Sequence, residues 1–142
     1  MPRPCTRMAL MVLILGLAGV AAHADVVPVV SAKSRVTSLS RSELVDIFLR
    51  KRARFPDGDI AMPIDQAEGS AARQQFYSQY AGMSSAQLES FWAKIIFTGR
   101  GQPPRSVANG KEAKKLVSAD PDAITYIDRT LVDATVKIVS VR

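Results

Sequence analysis

An uninterrupted apolar run from Ala9 to Ala22, preceded by Arg3 and Arg7 and closed by Ala22-His23-Ala24, decides how much chain is left to fold. A basic start, an apolar stretch and a small-x-small end are the three parts of a cleavable secretory signal. The run falls short of the roughly 20 residues that a helix needs to cross a bilayer, so no permanent membrane span is expected. Cys5 precedes the apolar run, where it is badly placed for lipid attachment. The expectation is a signal peptide over residues 1–24 and a single exported domain over residues 25–142, the size of one ordinary core.

Cys5 and His23 are the only cysteine and histidine in the sequence, and both fall in that leader. The working domain then has no means to form a disulfide, a Cys or His nucleophile, or a Cys/His zinc site. It also lacks the side chain that most often moves protons near neutral pH. A protein that is not an enzyme is expected, with no cofactor and no metal. Of the 19 Lys and Arg only Arg3 and Arg7 lie in the leader, whereas all 13 Asp and Glu lie beyond it, so the domain stays basic. Such a surplus favours an anionic ligand or surface. Nucleic acid is not expected, because the basic residues are dispersed and form no stripe interleaved with aromatics.

Along the chain, the valine-rich segment from Asp25 to Ser31 reads as a buried strand, with Pro28 near its start or on a sheet edge. Ser40-Arg41-Ser42-Glu43 is a capping box, and Leu44, Ile47 and Phe48 recur at helical spacing, giving a helix over 41–51 with a basic last turn. A turn at 55–59 leads to a strand over 60–65. Ser70 caps a helix that reaches Tyr80 and ends at Gly82. Ser84 or Ser85 starts another, with Leu88, Phe91, Trp92, Ile95 and Ile96 on its apolar face. A loop over 99–104, a short helix over 110–118 with a basic face, and strands over 123–127 and 135–141 complete the pattern. Strands alternating with helices indicate an α/β domain with helices packed on a mixed, mainly parallel sheet.

The segment Pro63-Ile64-Asp65-Gln66-Ala67-Glu68-Gly69-Ser70-Ala71-Ala72-Arg73 carries the most chemistry. A strand ends, a glycine turn follows and a helix opens. At such a junction the free N–H groups of the first helical turn converge and the helix dipole favours negative charge, so a small oxyanion can dock. Ser70 would add a hydroxyl donor, the N–H groups of Ala71 and Ala72 would face the ligand, and Arg73 would supply a charged fork. The plainer alternative is that Ser70 only caps the helix and Arg73 is solvated.

These residues give the chain a resemblance to a known family over about 26–141. Leu39-Ser40-Arg41-Ser42-Glu43-Leu44-Val45-Asp46-Ile47-Phe48, the Glu68 to Phe76 junction, the Trp92 helix and Pro121-Asp122-Ala123-Ile124-Thr125-Tyr126 resemble the phosphate-type substrate-binding proteins of ABC transporters. That family has the type II periplasmic binding-protein fold, and its junction reads Ser-Gly-Thr-Arg before a phenylalanine and binds phosphate oxygens. The resemblance implies a periplasmic protein with Ser70, Ala71, Ala72 and Arg73 as ligand-binding residues. Ala71 and Ala72 stand where the family has Gly and Thr, Arg50 replaces a glycine after the Asp-Ile-Phe helix, and Thr125 replaces another before the tyrosine. Full members have two lobes, and residues 25–142 supply about one. The expectation is a single-lobe, non-enzymatic module for a small oxyanion such as phosphate.

An interaction protein that keeps this fold without the ligand is the alternative, engaging an envelope partner through Arg50–Arg54 or Arg100–Arg105. A homodimer would bring two half-sites together. The run Arg50-Lys51-Arg52-Ala53-Arg54 reads otherwise as a solvated helix end. Asp57-Gly58-Asp59 reads as a turn, since two acids fall well short of the 6–8 oxygens calcium takes. Phe91 and Trp92 read as core.

Overall fold

The computed structural model describes residues 25–142; the expected leader, with Cys5 and His23, lies outside the described residues. Among the described residues seven strands and four α-helices follow in chain order: β1 Val26–Ser31, β2 Ser38–Leu39, α1 Arg41–Phe48, β3 Met62–Gln66, α2 Ala71–Phe76, α3 Ser85–Phe97, β4 Arg105–Val107, α4 Gly110–Ala119, β5 Ala123–Asp128, β6 Val136–Ile138 and β7 Ser140–Val141. Five strands form one sheet in the order β4-β3-β5-β1-β6, and β2 pairs with β7 in a small parallel ribbon. β4, β3 and β5 run parallel, β1 opposes β5, and β6 opposes β1. Four of the five therefore point one way, the mainly parallel α/β arrangement expected.

Alternation along the strands sorts the core onto the two faces of the sheet. Val26 and Val30 of β1 and Ile124 and Tyr126 of β5 pack beneath α1, α2 and α3 with Phe48, Phe76, Tyr77, Leu88 and Trp92. Val27 and Val29, Ala123 and Ile127 face the other way, onto Ala113 and Val117 of α4. One face is thus aromatic: Phe76 stacks on Tyr126 at 4.2 Å between centroids and 8° between planes, and Phe48 meets Phe76 at 4.7 Å. Such pairs add about 0.5–1.5 kcal/mol each beyond the area they bury.

Local chemistry sets the helix ends. Ser40 and Glu43 form the reciprocal capping box of α1, and Ser84 and Gln87 form a second at α3. α1 stops at Phe48, three residues earlier than expected, because Arg50 takes a left-handed conformation with φ 60°. The basic run therefore lies in the loop beyond α1, not in its last turn. A side chain with a Cβ bears a cost of roughly 1–2 kcal/mol there. The helix from Ser70 is also broken: after α2 the chain makes one π-helical turn over Tyr77–Ala81 before Gly82 closes it at φ 62°.

Two other expectations need correction, the unbroken last strand and the place of Ile96. Pro28 is the third residue of β1, near its start as expected, although β1 has neighbours on both sides. The carbonyl of Pro28 accepts from the N–H of Val139, so its nitrogen also faces that side, beyond the point where the β6 ladder over Val29–Ser31 ends. No ladder donor is lost. The last strand is interrupted at Val139, whose buried side chain joins the aromatic face and separates β6 from β7. β2 and β4 are too short to carry a periodicity and were not expected. Ile96, placed on the apolar face of α3, is half exposed, and Phe97 beside it is 93% exposed.

Candidate functional site

β3 and β5 end side by side, and the chain leaves β3 through Ala67-Glu68-Gly69 to enter α2. In open sheets of this kind ligands bind beyond the carboxyl ends of the strands, where connections diverge to opposite sides. β3 is such a place: β4 pairs on one flank of it and β5 on the other. Gly69 adopts φ 82°, and the N–H of Ser70 donates to the carbonyl of Ala67 at 3.1 Å, which tightens the turn. Ser70 Oγ accepts the N–H of Arg73 at 3.1 Å. Its own hydroxyl proton remains free to donate. The N–H groups of Ala71 and Ala72 occupy the first two helical positions, which by geometry have no acceptor within the helix.

Arg73 reaches back toward the end of β3. Its Nε lies 3.6 Å from Asp65 Oδ1, and its guanidinium carbon sits 5.8 Å from the centre of the Tyr77 ring. The side chain is only 16% exposed, yet its buried Nε has no hydrogen-bond acceptor among the described residues. Asp65 is 3% exposed and holds two phenols: Tyr77 donates to Oδ2 at 2.7 Å, and Tyr126 donates to Oδ1. Gln66 closes the network, its side-chain amide donating to the Tyr126 carbonyl at 2.7 Å. Burial first, and then the Asp65 charge, push both phenols far above their ordinary range. Both stay protonated, so they act as donors to the carboxylate.

Between α2 and α3 two cavities open on this network. One, of about 210 Å³, is bordered by Glu68, Gly69, Arg73, Tyr77, Ser85 and Glu89. The other, of about 320 Å³, is bordered by Asp65, Arg73, Glu89, Trp92, Ile96 and Pro104. Arg73 is common to both, whereas Ser70, Ala71 and Ala72 border neither. Three of the expected residues therefore stand at the helix start, and the fourth turns into the cleft beside it. Two exposed acids, Glu68 and Glu89, share that cleft. Among the described residues no group of three or more Asp or Glu is placed to hold a metal ion. No helix among them is long and apolar enough to cross a membrane.

The sequence reading missed Asp65, Tyr77 and Tyr126. One signal was available: a carboxylate closing a buried apolar strand must find donors, and Tyr77 stands one helical turn beyond Arg73.

No family model matches the chain, and no curated protein matches its sequence. Solved structures do match. One is a structure from Clostridium perfringens, described as a phosphate ABC transporter substrate-binding protein with bound phosphate, at 19% identity and a TM-score of 0.65, covering 82% of this chain and 44% of that one. An ABC-type phosphate transport receptor from Vibrio cholerae matches at 19% identity and a TM-score of 0.64, covering 82% and 45%. PstS from Borrelia burgdorferi matches at 15% and 0.56, covering 82% and 47%. The likeness establishes the fold: residues of this chain form a single lobe of the phosphate-binding-protein type. The chain spans less than half the length of each of these relatives.

Proposed function

We propose that this chain is an exported, non-enzymatic binding module that holds a small oxyanion such as phosphate at the junction of β3 and α2. The observation that carries the proposal is Arg73, a largely buried guanidinium whose Nε lies 3.6 Å from Asp65 but has no hydrogen-bond acceptor among the described residues, beside an open helix start. The N–H groups of Ala71 and Ala72 and the hydroxyl of Ser70 are the further donors, and Arg73 is the counter-charge. Charge-assisted bonds of this kind are about twice as strong as neutral ones. Supporting the reading is the fold itself, shared with proteins that bind phosphate. Held by this lobe alone, a ligand is half solvated and each charge acts across a high dielectric, which keeps binding weak.

Calorimetry with phosphate and sulfate tests this. Heat corresponding to millimolar or tighter affinity, abolished by Arg73→Ala, supports it; no heat with any anion contradicts it. A second reading has its own observation: Asp65, Glu68 and Glu89 surround Arg73 and offset its charge. On that reading the lobe keeps the fold, binds no anion and serves as an interaction protein.

A further inference from the structure

The two basic segments that the proposed site leaves unused, Arg50–Arg54 and Gly99–Arg105, come together in the fold. The loop after α1 and the loop after α3 meet over one side of α3, around a cavity of about 250 Å³ bordered by Arg50, Lys51, Phe91, Trp92 and Arg100. No carboxylate borders it. The other two arginines of the first run are engaged elsewhere: Arg52 lies 3.6 Å from Glu43, and Arg54 donates to the Gly58 carbonyl at 2.8 Å. Arg50, Lys51 and Arg100 form no ion pair among the described residues.

The floor is aromatic. Lys51 Nζ stands 5.8 Å from the centre of the Phe91 ring, and Phe91 meets Trp92 edge-on at 5.0 Å. Trp92 is 6% exposed, and its indole N–H has no acceptor in the described chain, a rare condition for a buried donor. Arg50 keeps its place at φ 60°, a conformation that glycine adopts freely. Backbone held in a sparsely populated region by a charged residue is a reason to look for function. Three cations without ion pairs, an aromatic floor and an unpaired donor are complementary to one kind of molecule.

We infer that this cavity is a binding site for a small organic anion, an anionic group such as a phosphate monoester carried on a flat apolar body. The cations take the head group, and the ring body lies against Phe91 and Trp92. Arg73 does not border this cavity, so the site stands independently of the one at the β3–α2 junction.

Trp92 is the only tryptophan in the chain and borders both this cavity and the one that Arg73 lines, so its fluorescence reports on both and the variants tell them apart. Phenyl phosphate titrated into the protein is expected to give a saturable change in emission. Phenol, which lacks the charge, and inorganic phosphate, which lacks the ring, are expected to bind at least about tenfold more weakly. The Lys51→Ala/Arg100→Ala variant loses the response by a similar factor, the charge-retaining Lys51→Arg/Arg100→Lys variant keeps it, and Arg73→Ala leaves it unchanged. The inference is overturned by no saturable change, by equal affinity for phenol or inorganic phosphate, or by a response that follows Arg73 instead of Lys51 and Arg100.

Discussion

Arg73 and the Arg50–Lys51–Arg100 cluster border cavities on either side of Trp92, and they hold positive charge in opposite ways. Arg73 is largely buried, 3.6 Å from a buried carboxylate, with two more acids at the mouth of its cleft. The cluster is exposed, has no acid on its walls and no ion pair. A buried cation must be compensated, or desolvation would cost several kcal/mol. Compensation fixes its position but leaves little net field. Exposed cations keep their field, at the mercy of salt, since charges in water are screened over about 8 Å at physiological ionic strength. The first arrangement gives a positioned donor set for a small ion, the second an attractive surface for a larger one.

The difference is broken most severely by removing the compensation. Asp65→Ala leaves the hydroxyls of Tyr77 and Tyr126 without an acceptor and Arg73 without its counter-charge. A loss of about 3–5 kcal/mol is expected, read as a lower urea midpoint. Neutralising the cluster instead, with Lys51→Ala/Arg100→Ala, leaves that midpoint almost unmoved, because both residues are exposed.

Alkali probes the same network. The folded phenols titrate far above the ordinary value near 10, so their contribution is fully present below pH 10 and is lost as pH rises from there toward the folded values. Each costs about 1.4 kcal/mol per pH unit, so stability falls by about 2–3 kcal/mol per unit above pH 10. Thermal midpoints measured from pH 8 to 11 check this, and Tyr77→Phe makes the slope shallower.

A smaller and opposite effect marks the exposed side. Arg50→Gly removes left-handed strain, with a gain of about 1 kcal/mol in stability. It also takes one cation from the wall and weakens phenyl phosphate binding about threefold. The smallest effect concerns the cleft: Glu68→Gln/Glu89→Gln removes two acids near Arg73, and phosphate affinity rises about two- to fivefold at low salt and less at 0.15 M.

Much of this architecture was legible because it is local. The capping box at Ser40 and Glu43, the Ser70 cap, the Gly82 stop and the valine-rich run of β1 each declare themselves within a few residues. What was hidden depends on distant chain. Nothing near Asp65 announces that Tyr126 will donate to it from 61 residues away, and nothing near Lys51 announces Arg100. Arg73 was found by its spacing from Ser70, but its orientation was not, because a guanidinium can turn outward to a ligand or inward to a carboxylate and only the packing of α2 on β3 decides. The loop after α1 shows the same limit. An arginine where a glycine is easier could be seen in the sequence, but its backbone conformation could not.

The central claim concerns the helix start at Ser70, and backbone amide shifts test it most directly. With inorganic phosphate titrated into isotopically labelled protein, the Ala71 and Ala72 amides are expected to shift together and saturate, and Arg73→Ala abolishes the shifts while the Trp92 indole signal stays in place. Amides at 71 and 72 that do not move, or that move equally with and without Arg73, would contradict an oxyanion site at this junction.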